Sequence, residues 1–307
     1  MVLRGVNSLN PFSEVELISL MAENPLPSCL ENLSDAPFTA EEGAGAALSD
    51  GTPLVCTRDR SCFKYLVESD SWNISGKMID QRYGSGYTYN DNMGLVMAGG
   101  YVAIDGPSDL KVASVEKTDG DLFEAMPSLP DENGHNCLVS VDSETLYATG
   151  GSGRGQEQRT LLFSSSENNW VEAADMLDGR YSHSCGVVDG PEGKSIVVVG
   201  GGESFFILSE TEIYSIENGT WKQGTPFPHP ISSAASVQYD GTLLVVGGLL
   251  GGIVNSKSDE IFKYIPKTGT WGQLDVKLRK PSSDHVAFMV PASIFPSCNA
   301  AASTMTP

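Results

Sequence analysis

The chain of 307 residues is 40% hydrophobic and carries 39 acidic against 19 basic residues, a formal net charge of −20. This length permits a substantial core in one or two domains. The negative charge, with no local cluster of Lys or Arg to reverse it, disfavours nucleic-acid binding, and no run of about 18 apolar residues predicts a membrane span.

Short apolar and β-branched runs follow one another along the chain and predict antiparallel strand pairs of two kinds, which we term inner and outer. The predicted inner pairs lie at 44–56, 84–98, 134–149, 182–199, 233–246 and 285–295. The predicted outer pairs lie at 14–31, 61–75, 110–125, 159–175, 210–224 and 259–275.

Two sequence markers recur in step along these predicted strands. Glycine doublets close apolar runs at intervals of 51, 50 and 47 residues, at Gly99-Gly100, Gly150-Gly151, Gly200-Gly201 and Gly247-Gly248. A tryptophan follows at Trp72, Trp170, Trp221 and Trp271, and Leu122 takes the position missing between the first two. Two markers with a period of about 50 residues predict a structural repeat.

The stretch "SIVVVGGGESFF" (195–206) raises the question of a dinucleotide-binding turn. Such a turn requires a strand, a G-x-G-x-x-G loop and a long amphipathic helix in that order. The residues that follow have the alternating pattern of a strand, so we interpret the glycines as the end of a strand.

The units "YSHSCGVVDGPEGKSIVVVGG…TEIYSIENGTW" and "ISSAASVQYDGTLLVVGG…DEIFKYIPKTGTW" resemble the kelch repeat of the galactose-oxidase-like central domain superfamily. The resemblance implies an all-β fold of four-stranded antiparallel blades around a central channel, with each tryptophan between blades and the glycines at positive φ. We therefore expect one six-bladed β-propeller over residues 1–298, followed by a disordered tail at 299–307. The chain begins with an outer pair and ends with an inner pair, so the resemblance implies that the N-terminal outer strands join the C-terminal inner strands and close the ring.

The six cysteines predict disulfide bonds. Cys56 and Cys62 flank a predicted hairpin turn, and Cys29 and Cys298 both fall in the expected closing blade. Three N-glycosylation sequons begin at Asn32, Asn73 and Asn218. These features favour a secreted glycoprotein with disulfide bonds. The N-terminus has no signal-peptide pattern, and a cytoplasmic protein with reduced cysteines is the alternative.

His135 with Cys137 and His183 with Cys185 occupy equivalent places on two predicted innermost strands, 48 residues apart. Residues i and i+2 of a strand share a face, so the four side chains could converge. Three outcomes stay open: a tetrahedral zinc site, a Cys137–Cys185 bridge, or structural residues and free thiols. We assign no metal and no cofactor.

No catalytic constellation stands out in the sequence. The Tyr and His ligands of galactose oxidase, the Glu-Asp-His pattern of the iron-dependent specifier proteins and a G-x-S-x-G elbow are all missing. We therefore predict a non-catalytic module that binds a protein partner through the rim loops that follow the glycines. The candidate binding residues are Arg154, Phe205, Phe206, Leu249 and Leu250. The alternatives are a carbohydrate-binding or galactose-oxidase-like glycan-active protein and an intracellular substrate adaptor.

Overall fold

The computed structural model describes residues 2–5, 13–18, 33–103, 109–203, 206–252 and 256–294. Its regular structure is β apart from two short 3₁₀ turns, Val67–Ser69 and Ala292–Ile294. The described strands are, in chain order, β1 (Val2–Gly5), β2 (Ser13–Glu16), β3 (Ala44–Ala47), β4 (Pro53–Cys56), β5 (Ser61–Leu66), β6 (Ser71–Lys77), β7 (Gly86–Asn90), β8 (Gly94–Ala98), β9 (Tyr101–Val102), β10 (Leu110–Lys111), β11 (Val115–Thr118), β12 (Phe123–Met126), β13 (Cys137–Ser140), β14 (Thr145–Thr149), β15 (Thr160–Ser164), β16 (Asn169–Glu172), β17 (Ser184–Gly190), β18 (Gly193–Val199), β19 (Gly202–Glu203), β20 (Phe206–Ile207), β21 (Thr211–Ser215), β22 (Thr220–Gln223), β23 (Ile231–Ser232), β24 (Ala235–Tyr239), β25 (Thr242–Val246), β26 (Leu249–Leu250), β27 (Ile261–Ile265), β28 (Thr270–Gln273) and β29 (Val286–Ala287). Within the described ranges, no helix is long and apolar enough to cross a membrane.

Five four-stranded antiparallel sheets form the blades of a propeller. From the innermost strand outward they are β3-β4-β5-β6, β7-β8-β11-β12, β13-β14-β15-β16, β17-β18-β21-β22 and β24-β25-β27-β28. Their strands fall at the inner and outer pairs predicted from 44 to 275, which confirms the antiparallel four-stranded blades. The described residues contain five such blades and not the six that we predicted.

Another sheet has three described strands in the order β2-β1-β29 and pairs N-terminal with C-terminal residues of the chain. Strand β1 pairs with β29 through Val2↔Ala287 and Leu3↔Val286. One C-terminal strand here meets two N-terminal strands, whereas we expected a C-terminal pair and an N-terminal pair beginning at 14. The prediction missed β1 because a four-residue strand is too short to show an alternating pattern.

The glycine doublets fix the contact between successive sheets. At Gly200-Gly201, φ is 65° and 95°. The Gly201 N–H donates to the Ile231 carbonyl at the start of the next sheet at 2.8 Å, and a Cβ on Gly200 would lie 2.2 Å from that oxygen. The other three doublets have the same geometry against the carbonyls of Asn133, Arg180 and Ser282. Only glycine combines this φ with so close an approach.

The tryptophans tie each outer strand to the preceding sheet. The indole N–H of Trp170 donates to the Pro127 carbonyl at 2.9 Å. The indole N–H of Trp221 donates to the Ala174 carbonyl at 2.8 Å, and that of Trp271 donates to the Thr211 hydroxyl at 3.1 Å. Trp72 packs instead against Phe38 and Tyr65 in the first sheet.

The assignment of Leu122 to the missing tryptophan position was wrong. Leu122 is 67% exposed and directly precedes β12. Trp221 pairs with Tyr214, seven residues earlier, and the residue that pairs in the same way in the second sheet is Glu124, whose partner is Lys117. The predicted position was therefore two residues away along the outer hairpin.

Buried ion pairs reinforce two sheets from within. The Arg180 guanidinium donates to the Gly200 carbonyl and to the Glu212 carboxylate, and both charged side chains are fully buried. Glu212 also accepts from the Leu177 N–H at 2.7 Å. Arg82 and Glu116 repeat this arrangement in the second sheet. Because each charge is paired and hydrogen-bonded, removal of one partner would leave the other uncompensated.

Candidate functional site

A ring of six main-chain hydrogen bonds surrounds one end of the central channel. Each donor lies at the start of an innermost strand and has a left-handed φ between 50° and 58°. Each N–H donates to the carbonyl of the previous member at 2.7–3.1 Å, and the Glu42 N–H donates to the Asp284 carbonyl to close the circle. We name this ring the channel mouth; its residues are Glu42, Gly84, His135, Ser182, Ser233 and Asp284.

The channel mouth opens into a cavity of about 560 Å³ between the innermost strands. The walls are formed by residues of β3, β7, β13, β17, β24 and β29. Small residues such as Ala46 and Gly86 line this space, so the strands can approach one another without filling it. The volume falls in the range that takes a small molecule or the side chains of a peptide.

Three titratable residues of the mouth lie close together in the ring. Asp284 and Glu42 are neighbours, and Gly84 separates Glu42 from His135. Burial, together with the neighbouring Asp284 carboxylate, raises the pKa of Glu42 to about 7. Burial lowers the pKa of His135, whose Nε2 lies 4.0 Å from the Glu42 carboxylate. The His135 ring covers Gly84, where a Cβ would lie 2.8 Å from it. The mouth therefore changes its charge near neutral pH.

Aromatic side chains flank the His135 side of the mouth. The rings of Tyr83 and Tyr101 stack at 5.4 Å, and the Tyr101 ring lies 4.9 Å from the His135 ring. The Arg58 guanidinium lies over Tyr83 at 4.4 Å. The Lys111 ammonium contacts the Ser152 carbonyl near Tyr101. These contacts fix rigid aromatic and charged surfaces beside the cavity.

The predicted rim residues that the structure describes lie after the glycines, on the same end of the propeller as the mouth. Arg154 is exposed in a turn, and Phe206 in β20 is 75% exposed. Leu249 and Leu250 are half-buried in β26, which pairs with β23. Phe205 lies outside the described residues.

The cysteines on the innermost strands are bonded to each other. Cys137 of β13 and Cys185 of β17 form a disulfide between neighbouring sheets, with a Cα–Cα distance of 6.1 Å. The His183 Nε2 pairs with the Thr149 hydroxyl at 2.9 Å. Within the described residues no group of His, Cys, Asp and Glu could hold a metal ion. This geometry favours the bridge over the zinc alternative, since the thiolates that zinc requires are used.

A second disulfide joins Cys56 to Cys62 across the β4–β5 hairpin. The pairing of Cys29 with Cys298 falls outside the described residues, as do the Asn32 sequon and the 299–307 tail. Asn73 and Asn218 are exposed, on β6 and in the β21–β22 turn. Their glycosylation stays a prediction.

Sequence reasoning missed the acids and tyrosines of the mouth. Glu42 and Asp284 lie 242 residues apart and carry no local signal of a shared site. Tyr83 lies in "RYGSG" (82–86), a stretch that parallels "RYSHS" (180–184). Gly84 and Ser182 occupy equivalent places in these two stretches, and this repetition is the sequence signal that marks members of the ring.

Comparison with known proteins identifies the repeat. A family model for the kelch motif matches residues 230–274. Human Kelch-like protein 35 is 29% identical over 147 residues, 48% of this chain and 24% of its own length. The mouse Kelch-like protein 35 is 25% identical over 72% of this chain and 36% of its own. Kelch repeat protein C2 of vaccinia virus (strain Western Reserve) is 24% identical over 68% and 39%.

The fold has a counterpart among solved structures. The structure of YjhT superimposes with a TM-score of 0.66 at 14% identity, covering 88% of this chain and 90% of that one. At this identity the likeness shows the fold alone. The chain spans about a quarter to two fifths of the length of the curated relatives above.

Proposed function

Because this chain is a kelch-repeat β-propeller, we propose that it is a protein-binding module whose partner docks on the end that carries the channel mouth. The observation behind this proposal is the convergence of six repeat positions on one ring, beside a cavity and the loops after the glycine doublets. Binding sites are commonly carried by loops on a rigid scaffold, and here the main-chain ring supplies the rigidity.

The docking surface has the composition of a protein interface. Phe206 presents an exposed aromatic ring, and Tyr83 and Tyr101 provide aromatic area near the mouth. Aromatic residues and arginine are enriched in the cores of such interfaces. The relatives named for their kelch repeats support a kelch module here.

Site-directed photo-crosslinking tests this assignment. A photoreactive amino acid at Arg154, exposed on the proposed docking end, should crosslink to one discrete protein. The matched control places it at Glu192, in the β17–β18 turn at the opposite end of the sheet, where we expect none. Equal crosslinking at both positions, or none at either, would contradict the proposal. A glycan-array signal without a protein crosslink would favour the carbohydrate alternative.

We also propose that the three-stranded sheet serves as the sixth blade. The ring of six hydrogen bonds supports this, since Asp284 beside β29 occupies the same position as Ser233 beside β24. Deletion of residues 1–5 should then open the ring and lower the melting temperature of the whole propeller. An unchanged melting temperature would oppose it.

We propose further that the protein works in an oxidising, extracellular compartment, with cytoplasmic reduced protein as the alternative. The Cys56–Cys62 and Cys137–Cys185 pairs support the first option. Mass spectrometry of the native protein, alkylated with and without prior reduction, should count at least four oxidised cysteines. Six free thiols would refute it.

A further inference from the structure

The channel mouth holds two acidic side chains without a matching cation. Glu42 and Asp284 are neighbours in the ring, and among the described residues no Lys or Arg nitrogen lies within 4.0 Å of either carboxylate. Asp284 accepts a hydrogen bond from the Ser283 hydroxyl at 2.8 Å. Neighbouring carboxylates that are partly buried are unfavourable unless a positive charge joins them.

The charged groups around Glu42 leave the mouth negative. The carboxylates and cations that act on Glu42 and on His135 are Glu41, Asp109, Asp284, Arg58 and Lys111. Both cations are engaged elsewhere, Arg58 on the face of Tyr83 and Lys111 at the Ser152 carbonyl. A perturbed carboxylate in a cleft with its charge unbalanced is typical of a binding site.

The cavity wall carries a second, independent feature that points to a ligand. Asn136 is 7% exposed and lines the cavity directly after His135. Its Oδ1 accepts from the Gly86 N–H at 3.0 Å, while its Nδ2 has no partner among the described residues. Buried amide donors are nearly always satisfied in native structures, so this donor fits a ligand oxygen such as a peptide carbonyl.

We propose that the channel mouth binds one positively charged side chain of a partner polypeptide, a lysine ammonium or an arginine guanidinium, between the carboxylates of Glu42 and Asp284. Asn136 donates to a carbonyl of the same peptide. This inference rests on the proposed function, because it assigns the chemical class of the segment that docks there. The ligand is basic, in keeping with a chain of net charge −20 that steers cations toward its surface.

Small peptide analogues test the site directly. The probes are N-acetyl-lysine methylamide and N-acetyl-arginine methylamide, with the Nε-acetylated lysine compound as an uncharged match. NMR of the histidine Cε1–H groups gives the readout, since the chain has only four histidines. We expect a saturable shift of the His135 signal with the charged probes. His229, which pairs with Glu260 away from the mouth, serves as the internal control.

Two substitutions separate the mouth from general acidity. Glu42→Gln keeps the shape and removes the charge, and should abolish the His135 response. Glu132→Gln removes an exposed acid from the loop that leads into His135 and should leave binding unchanged. Because the pKa of Glu42 is about 7, probe affinity in the unmodified chain should rise about tenfold from pH 6 to pH 8. Circular dichroism at each pH checks that every variant is folded.

An equal response to the acetylated probe, or no saturable shift with any probe, would overturn the inference. Affinity that is independent of pH and unchanged by Glu42→Gln would overturn it as well. If crosslinking at Arg154 captures a partner while the probes do not bind, the docking surface stands and only its cationic anchor is refuted. If the probes bind and no protein crosslinks, the mouth stands as a cation site and the proposed function fails.

Discussion

Removal of the disulfide between neighbouring blades should cost more stability than removal of the hairpin disulfide. The bridge from Cys137 to Cys185 spans 48 residues and joins the innermost strands of two sheets. The bridge from Cys56 to Cys62 spans 6 residues within one hairpin. In the chain-entropy model a crosslink stabilises by restricting the unfolded chain, and the effect grows with the logarithm of the enclosed length.

The two lengths give distinct magnitudes. Double replacement by alanine should lower the free energy of unfolding by about 4 kcal/mol for Cys137 with Cys185, and by about 2 kcal/mol for Cys56 with Cys62. Three of these side chains are buried and the fourth, Cys137, is half-buried. Loss of sulfur packing is therefore similar in the two variants, and the difference between them reports the crosslink.

Urea denaturation followed by tryptophan fluorescence measures both values, with the midpoints compared at equal slope. Non-reducing peptide mapping first establishes that each bridge is present in the unmodified protein. In the presence of a strong reductant, the unmodified protein should lose the advantage over each variant. Equal losses in the two variants, or a larger loss for the hairpin bridge, would refute the loop-length argument.

Three further predictions follow from the packing and the charges. Gly200→Ala should lower the free energy of unfolding by about 2–3 kcal/mol or more, because strain at positive φ adds to a clash with the Ile231 carbonyl. Gly155 also has a positive φ, of 71°, but has open space around it, so Gly155→Ala should cost only about 1 kcal/mol. Thermal melts of the two variants measure the difference. Glu212→Gln should cost about 3–5 kcal/mol in urea melts because it leaves the buried Arg180 charge uncompensated, and a loss below 1 kcal/mol would contradict this. The raised pKa of Glu42 contributes stability that is fully present below pH 4.5 and is lost as pH rises through 7. Glu42→Gln should therefore gain stability relative to the unmodified chain as pH rises from 5 to 8. A difference between the two melting temperatures that does not change with pH would exclude this.

The stability of Glu42→Gln must be compared with that of the unmodified chain at each pH, because His183 changes the stability with pH in the opposite direction to Glu42. Burial lowers the pKa of His183 to about 3. The stability that neutral His183 contributes is therefore lost as pH falls below 6.5, because His183 is protonated in the unfolded chain and stays neutral in the folded chain. The pH profile of the unmodified protein contains both effects, and only the difference between the two chains isolates Glu42.

The repeat and its strands could be predicted from the sequence because their signals are local. Alternating apolar residues mark each hairpin, and the doublet at Gly200-Gly201 stands where a main-chain carbonyl leaves no room for Cβ. Trp221 lies seven residues after Tyr214 and pairs with it across one hairpin turn, so this marker is local as well. Such signals depend on residues within about 50 positions of one another, so they survive without knowledge of the ring.

The channel mouth and the closing sheet were decided by tertiary structure. Glu42, His135 and Asp284 are separated by more than 90 residues along the chain and meet only because successive sheets turn the chain back on itself. Strand β1 is too short to be recognised from its residue pattern, and it forms a strand because it pairs with β29. The pKa of Glu42 has the same origin, since burial and the Asp284 carboxylate act on it only after the ring has closed.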